Sequence, residues 1–253
     1  MVAERPIAHQ FWSGELTEYQ IASMRSLQKS GFQVIFWSPE SFSIDLPSGI
    51  IQENSELILD SSKIKAKYFS DQVVDSEKLK WAMYSDIFRV NVINKFGGWW
   101  FDSDFFALKD HSEFIKLENG REIVAGHGKS TDAAVENSVL AFPNAGYCDE
   151  LSKTLTKKAH RSLKLPWGSL GSNEINNILI RYKLQKQLVP FDLFYPVHRR
   201  QCGLLFSSSE NDRIMAESLC KDSLGFHWWN SRIDSLNELP KNSYIGKSFS
   251  SLD

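Results

Sequence analysis

The sequence predicts an α/β fold, and three features carry that expectation. The chain opens strand, helix, strand. A long capped helix then runs through Gly97-Gly98 into a short, very apolar segment. Two further strand patterns and two further helix patterns follow. Alternation of this kind builds a sheet with helices on its faces.

Taken in order, Pro6 to Trp12 (PIAHQFW) reads as a short strand closed by Ser13-Gly14. Glu15 to Ser30 carries Leu16, Tyr19, Ser23 and Leu27 at helical spacing, with Gly31 as its stop. Phe32 to Trp37 (FQVIFW) is β-branched and aromatic and ends at Ser38-Pro39. Residues 40 to 72 read as loops with short elements. Ser76 to Phe96 is the longest helix: Asp75 or Ser76 caps it, Glu77 sits in its first turn, and Leu79, Met83, Val90 and Ile93 form its apolar stripe. Gly97-Gly98 ends it, and Trp99 to Phe101 reads as a buried strand. Strands are expected at 122–125 and 138–142, and helices at 147–160 and 172–183. Beyond Val189 the pattern is mixed. With no internal repeat, low-complexity tract or long linker, one domain spanning 1–253 is the expectation.

Composition narrows the function. The 253 residues are 42% hydrophobic and 24% charged, with a net charge of -2. Nothing there offers an electrostatic grip on nucleic acid. Three scattered cysteines, Cys148, Cys202 and Cys220, form neither a disulfide framework nor a zinc motif and suit a reducing compartment. No apolar run approaches the length of a membrane span, and MVAERPIAHQFWSG lacks the apolar core of a signal peptide. The 17 Phe, 8 Trp and 7 Tyr are many, and several sit among polar residues.

Asp102-Ser103-Asp104 is a DxD triplet, which alone says little. Its setting says more, because it leaves an apolar strand and is flanked by Phe101 and Phe105-Phe106. Carboxylates in an aromatic frame are costly unless neutralised, so a cation is expected. Hard oxygen ligands favour Mg²⁺ or Mn²⁺, completed by water and substrate phosphates. Upstream, Asp86 and Arg89 lie three apart on one helix face with Ala82 and Ile93. They read either as a local ion pair on a helix flank or as polar anchors for sugar hydroxyls at the sheet end.

The stretch Ser85 to Asp104, SDIFRVNVINKFGGWWFDSD, resembles the diagnostic segment of DXD-containing, sugar-binding glycosyltransferases. That group includes yeast initiating α-1,6-mannosyltransferases, α-1,4-galactosyl- and N-acetylglucosaminyltransferases, and bacterial capsule and exopolysaccharide enzymes. The glucosylating domains of large clostridial toxins are more distant members. The shared pattern is Ser-Asp-x-x-Arg, a helix tail, Gly-Gly, an apolar step, then Asp-x-Asp. Ala8 to Gly14, AHQFWSG, is similar to the group's first strand, Ile-His-x-x-Trp, and Gly225 to Ser231, GFHWWNS, to its late His-plus-Trp segment. Trp100 stands where the group usually has Tyr.

The resemblance implies a GT-A glycosyltransferase fold: a Rossmann-like N-terminal half with a mixed central sheet, binding nucleotide at strand carboxyl ends. The nucleotide-sugar half is expected at about 1–110 and the acceptor half at about 111–253. By the same resemblance, Trp12 lies at the base, and Asp86 and Arg89 contact the donor sugar. Asp102 faces ribose or sugar and bridges towards the metal, which Asp104 ligates directly. His227 is a further metal or diphosphate ligand, and Trp228 or Trp229 closes over the donor. Asn137 (in ENSVLAFP) and Glu174 (in GSLGSNE) fall in segments facing donor or acceptor. The implied reaction is retaining transfer from a UDP-sugar, with GDP-mannose as the alternative, to a glycan acceptor, lipid-linked acceptors included. The expected setting is a bacterial-type cytoplasmic enzyme of polysaccharide synthesis, with peripheral contact at the inner membrane face compatible. A toxin-like effector acting on a host protein and a non-catalytic nucleotide-sugar binder are the competing readings.

Overall fold

A computed structural model describes residues 5–39, 46–69, 76–128, 135–230 and 239–252. The elements are β1 (Ile7–Phe11), α1 (Glu18–Lys29), β2 (Gln33–Ser38), β3 (Ile51–Asn54), β4 (Lys67–Phe69), α2 (Ser76–Phe96), β5 (Trp99–Phe101), β6 (Phe105–Ala107) and α3 (His111–Ile115). They continue as β7 (Val124–His127), β8 (Val135–Ala141), α4 (Ala145–Ala159), β9 (Lys164–Pro166) and α5 (Ser172–Tyr182). α6 (Gly203–Phe206), α7 (Glu210–Cys220), β10 (Gly225–His227) and α8 (Tyr244–Ser250) complete the described chain.

Six strands form a mixed sheet in the order β3-β2-β1-β5-β8-β7. The first four are parallel, while β8 runs antiparallel to both β5 and β7. Alternate residues of β2, β5, β7 and β8 enter different cores. Trp99 and Phe101 of β5 pack with Met24 and Leu27 of α1 and Phe114 of α3. Trp100, between them, joins the cluster built on α2, α4 and α5. Burial on both faces explains why β5 reads as an unbroken apolar run and not as an alternating one.

Several boundaries differ from the sequence expectation. α1 starts at Glu18 and not Glu15, because Thr17 caps it and Gln20 reaches back to the Thr17 N–H at 3.0 Å. β8 begins at Val135, since the polar Glu136 and Asn137 dilute the pattern that marks its apolar half. β7 lies at 124–127 and not 122–125; the Glu122 N–H donates to the Gln187 side chain, outside any ladder. β6 and β10, three residues each, were not expected at all. α2 and β5 coincide with their expected ranges, whereas Asp75, one of the two expected caps, lies outside the described residues.

The junction of α2 and β5 positions everything downstream. Gly97 and Gly98 both take positive φ, 68° and 79°. A Cβ on Gly98 would lie 2.7 Å from the Ile7 carbonyl oxygen, so only glycine lets β5 come up against β1 there. His9 locks the same corner from inside. Its Nδ1 accepts from the Trp37 indole N–H at 3.1 Å, so its Nε2 carries the proton and donates to the Gly97 carbonyl at 3.0 Å. Burial lowers the His9 pKa from 6.5 to about 4, against a smaller opposing effect of the Gly97 carbonyl.

That shift makes the corner acid-sensitive. Between pH 6.5 and about 4 the unfolded chain gains a proton at His9 that the folded chain refuses. The stability from a neutral His9 is therefore complete above pH 6.5 and lost as pH falls towards 4. Denaturant melts of wild type and His9→Asn should differ less at pH 4.5 than at pH 7, by about 2–3 kcal/mol. A difference that does not change with pH would show that His9 is not the titrating group.

Candidate active site

The parallel strands turn towards a common end, and the order of the sheet reverses between β1 and β5, where crevices form in open α/β sheets. Trp12 follows β1 at this end, and Asp102, Ser103 and Asp104 follow β5. The turn is built from beneath. The Asp102 N–H donates to the Ser138 carbonyl of β8 at 2.7 Å, and the Phe105 N–H to the Asp102 carbonyl at 3.1 Å. Gln10 Nε2 of β1 donates to the Asp102 carbonyl at 3.2 Å and to Ser23 Oγ at 2.7 Å. Ser23 in turn donates to the Phe105 carbonyl at 2.6 Å. Gln10 and Ser23 are completely buried, and their job is to hold the acidic turn.

β10 pairs antiparallel with β6 and sets His227 opposite Phe105, one residue beyond Asp104. Ligand atoms of Asp102, Asp104 and His227 lie within 4.8 Å of one another, the only group of this kind among the described residues. His227 Nε2 is 2.8 Å from Asp104 Oδ1 but off the direction of a hydrogen bond, which leaves that buried nitrogen unpartnered. Asp104 Oδ2 accepts the Asn230 N–H at 2.8 Å. Trp229 supplies the bend for this, at φ 60°, a strained value for a non-glycine residue.

Charge in this corner is finely opposed. Burial raises the Asp102 pKa, the Arg89 guanidinium pulls it back, and the Asp104 carboxylate pushes it up again. Burial also works against an ionised Asp104, but the His227 imidazole and the Asn230 N–H outweigh it and hold Asp104 low. Burial disfavours a charged His227, and the neighbouring Asp104 more than compensates, so its pKa is raised. Two carboxylates and an imidazole nitrogen without a hydrogen-bond partner fit a divalent cation. The His227 Nδ1 accepts the Trp229 N–H at 3.3 Å, so a proton resides on Nε2 and has to leave when a cation binds.

Asp86 and Arg89 do not form a pair on a helix flank. They are 8% and 5% exposed. Arg89 Nη2 stands 3.2 Å from Asp86 Oδ1 and 3.3 Å from Asp102 Oδ1, and Nη1 donates to the Asn137 carbonyl at 2.7 Å. Asp86 accepts from Tyr68 Oη at 2.9 Å and from Asn137 Nδ2 at 3.2 Å. Asn137 thus ties β8 to α2. Trp100, which stands in place of the usual Tyr, donates its indole N–H to Asp102 Oδ1 at 2.7 Å.

The aromatic assignments divide. Trp12 is partly buried and donates its indole N–H to the Glu15 carbonyl at 3.0 Å, at the rim of the crevice. Trp228 is a correction: it is fully buried in the cluster with Phe206 and Phe249 and cannot close over a ligand. Its neighbour Trp229 lies 4.5 Å from the His227 ring and 5.7 Å from Tyr195. Glu174 is buried in the first turn of α5 and pairs with Lys158.

Sequence reasoning missed four residues here. Gln10 was visible as a polar residue within an apolar strand, but Tyr68 gave no signal. Its hydroxyl donates to Asp86 and accepts the buried Leu170 N–H at 2.8 Å. Gly171 packs so tightly that a Cβ would sit 2.5 Å from Asp86 Oδ1. Glu136 is the fourth: burial raises its pKa, and the charges of His227 and Arg199 oppose that rise.

The comparisons agree with this geometry. Residues 47–142 match the family model of a capsular polysaccharide synthesis protein. Residues 173–249 match the alpha 1,4-glycosyltransferase conserved region. Among curated proteins, none matches in sequence. The fold is similar to that of PaToxG glycosyltransferase, with TM-score 0.51, 14% identity and coverage of 98% of this chain and 86% of that one. It is similar to the apo-form glycosyltransferase GlyE of Streptococcus pneumoniae TIGR4, with TM-score 0.51, 12% identity and coverage of 98% and 60%. The bifunctional glycosyltransferase WbbM gives TM-score 0.50, 11% identity and coverage of 100% and 50%. The chain therefore spans less than two thirds of GlyE and WbbM. The architecture is GT-A, and two separate segments match family models of capsule synthesis and of glycosyl transfer.

The Tyr68 hydroxyl is testable by itself. Tyr68→Phe leaves the Leu170 N–H buried without an acceptor and takes one donor from Asp86, which should cost about 1–3 kcal/mol. Urea melts measure it, and unchanged stability would mean that the hydroxyl is not what holds the 166–171 turn to Asp86.

Proposed function

We propose that this protein is a glycosyltransferase that moves a sugar from a UDP-sugar to a hydroxyl of a glycan acceptor, with retention at the anomeric carbon, in capsule, exopolysaccharide or lipopolysaccharide synthesis. The observation that carries the reading is the convergence of Asp102, Asp104 and His227 at the carboxyl end of the parallel strands. These three would hold Mn²⁺ or Mg²⁺, which supplies Lewis-acid neutralisation of the departing diphosphate. The catalytic domain is taken as 1–253, with the donor half at about 1–110 and the acceptor half at about 111–253. His227 comes from the acceptor half, so the site would need both.

The remaining roles belong to the chain's own side chains. Trp12, at the rim beyond β1, offers a face to the base. Asp86 and Arg89 orient the donor sugar, held by Tyr68 and Asn137 in one geometry. Positive charge develops on the sugar ring as the leaving group departs, and the nearby carboxylates favour it. No residue pair assigns a nucleophile, so same-face attack, with the leaving phosphate taking the acceptor proton, is the proposed course. Among the described residues no helix is long and apolar enough to cross a membrane. A cytoplasmic site of action, with a lipid-linked acceptor presented at the membrane face, accords with the family match to capsule synthesis.

Two measurements test this reading. Calorimetric titration with UDP should show binding in Mn²⁺ that EDTA abolishes, while GDP binds more weakly. Equal affinity in EDTA would remove the metal from the reading, and tighter GDP binding would change the donor to a GDP-sugar. Asp104→Ala should abolish sugar transfer and donor hydrolysis, a loss of several kcal/mol of transition-state stabilisation, with a thermal melt close to wild type. Near-normal turnover in this variant would end the proposed role of the DxD triplet.

A further inference from the structure

We propose that Trp167 is the stacking platform for a pyranose ring of the acceptor glycan; this rests on the glycosyltransferase reading above. Of the eight tryptophans, Trp167 is the most exposed, at 47%, while Trp12, Trp81 and Trp229 are partly buried and Trp37, Trp99, Trp100 and Trp228 are buried. An exposed indole loses apolar hydration only when something covers it.

The ring is held in place and tied to the site. Trp167 follows β9, whose Leu165 pairs in register with Tyr68 of β4, so positions 165 and 167 share the Tyr68 side. Trp167 stacks on Tyr68 with ring centroids 6.4 Å apart and planes at 25°. The turn after it is tight: the Ser169 N–H and hydroxyl both donate to the Pro166 carbonyl, at 3.2 and 2.7 Å, and the Gly171 N–H to the Gly168 carbonyl at 3.1 Å.

An unbroken line of contacts leads inward from this ring. Trp167 meets Tyr68, and Tyr68 Oη meets Asp86 Oδ2 at 2.9 Å. Asp86 Oδ1 meets Arg89 Nη2 at 3.2 Å, and Arg89 meets Asp102 Oδ1 at 3.3 Å, which belongs to the triad with Asp104 and His227. With the diphosphate at the triad and the donor sugar over Asp86 and Arg89, the line continues outward through the buried Tyr68 to the exposed ring of Trp167. The acceptor has to lie against the transferred sugar, and Trp167 offers it an exposed aromatic face one ring away from the Asp86 partner Tyr68. Three other exposed rings are placed differently: Phe69 follows Tyr68 on β4 and so takes the opposite side of that strand, Phe96 stacks on Trp37 at the end of α2, and Tyr182 at the end of α5 donates its hydroxyl to Glu150. Ile180 on α5, and Ile214, Met215 and Leu219 on α7, are aliphatic or thioether side chains on helix faces with no such link to the carboxylates.

The chemistry suits a sugar in particular. A pyranose presents a face of C–H groups carrying slight positive charge, and the indole face is the negative pole of its quadrupole. Polar hydroxyls at the ring edge remain free for the polar rim, where Asn173 in the first turn of α5 is exposed. An aromatic floor with few polar groups at its edge fixes orientation without demanding one sugar.

Saturation-transfer NMR with lactose, cellobiose and methyl α-mannopyranoside at millimolar concentration tests the platform without any donor. At least one of these probes should receive saturation at its ring C–H protons. The signal should fall at least fivefold in Trp167→Ala and stay above half in Trp167→Phe, which keeps the aromatic face. No signal from all three, or a signal that survives Trp167→Ala, overturns the proposal. The outcome is separable from the donor reading. Trp167-dependent sugar contact in a protein that fails to bind UDP keeps the platform and ends the UDP-sugar assignment. Manganese-dependent UDP binding without Trp167-dependent sugar contact ends the platform alone.

Discussion

One buried guanidinium organises the crevice. Arg89 is almost sealed from water, and its charge is tolerable there only because several acceptors surround it: Asp86, Asp102, the Asn137 carbonyl and both oxygens of Ser85. These partners come from α2, from the turn beyond β5 and from β8, so a single side chain fixes how three elements meet. Its fork geometry matters, since a lysine ammonium could not face two carboxylates and a carbonyl in one plane. Removing one partner from such a cluster costs about 3–5 kcal/mol, because the charge left behind has no water to turn to. The same cluster that shapes the crevice therefore also holds the fold together at that point.

Aromatic packing gives those charges their reach. Phe101, Phe105 and Phe114 lie beneath the acidic turn with centroids 5.2 to 6.4 Å apart, and Trp100 sits 5.2 Å from the Arg89 guanidinium carbon. Rings of this size exclude water and lower the local dielectric, so charge felt at Asp102 is little screened. Part of the abundance of Phe and Trp noted in the sequence thus walls in carboxylates, and the rest fills the cores on either side of the sheet and around β10.

The sequence revealed the parts of the molecule whose causes are local. α2 and β5 were legible to the residue because a cap, an apolar stripe and a Gly-Gly stop all act within a few positions. The DxD turn and His227 were legible because a family pattern named them, though nothing in GFHWWNS alone said that β10 would set His227 opposite Phe105. β6 and β10 were invisible for the same reason: three-residue strands gain their identity from each other and not from periodicity. Tyr68 and Gly171 were out of reach, since their importance comes from a contact across about a hundred positions. Trp228 misled because its segment matches the pattern while its side chain points into the neighbouring core; only the alternation of β10 and its continuation separates it from His227 and Trp229.

The pairing of β4 with β9 has a dynamic consequence. It is three residues long on each side and has no third strand, whereas β1 and β5 are bonded on both edges within six strands. Short ladders open at a small fraction of the global unfolding free energy, and hydrogen exchange records them first. An opening there would break the Tyr68 bonds to Asp86 and Leu170 without breaking any ladder of the six-stranded sheet. The two walls of the crevice thus differ in how many strand hydrogen bonds secure them, few behind Tyr68 and many behind the acidic turn.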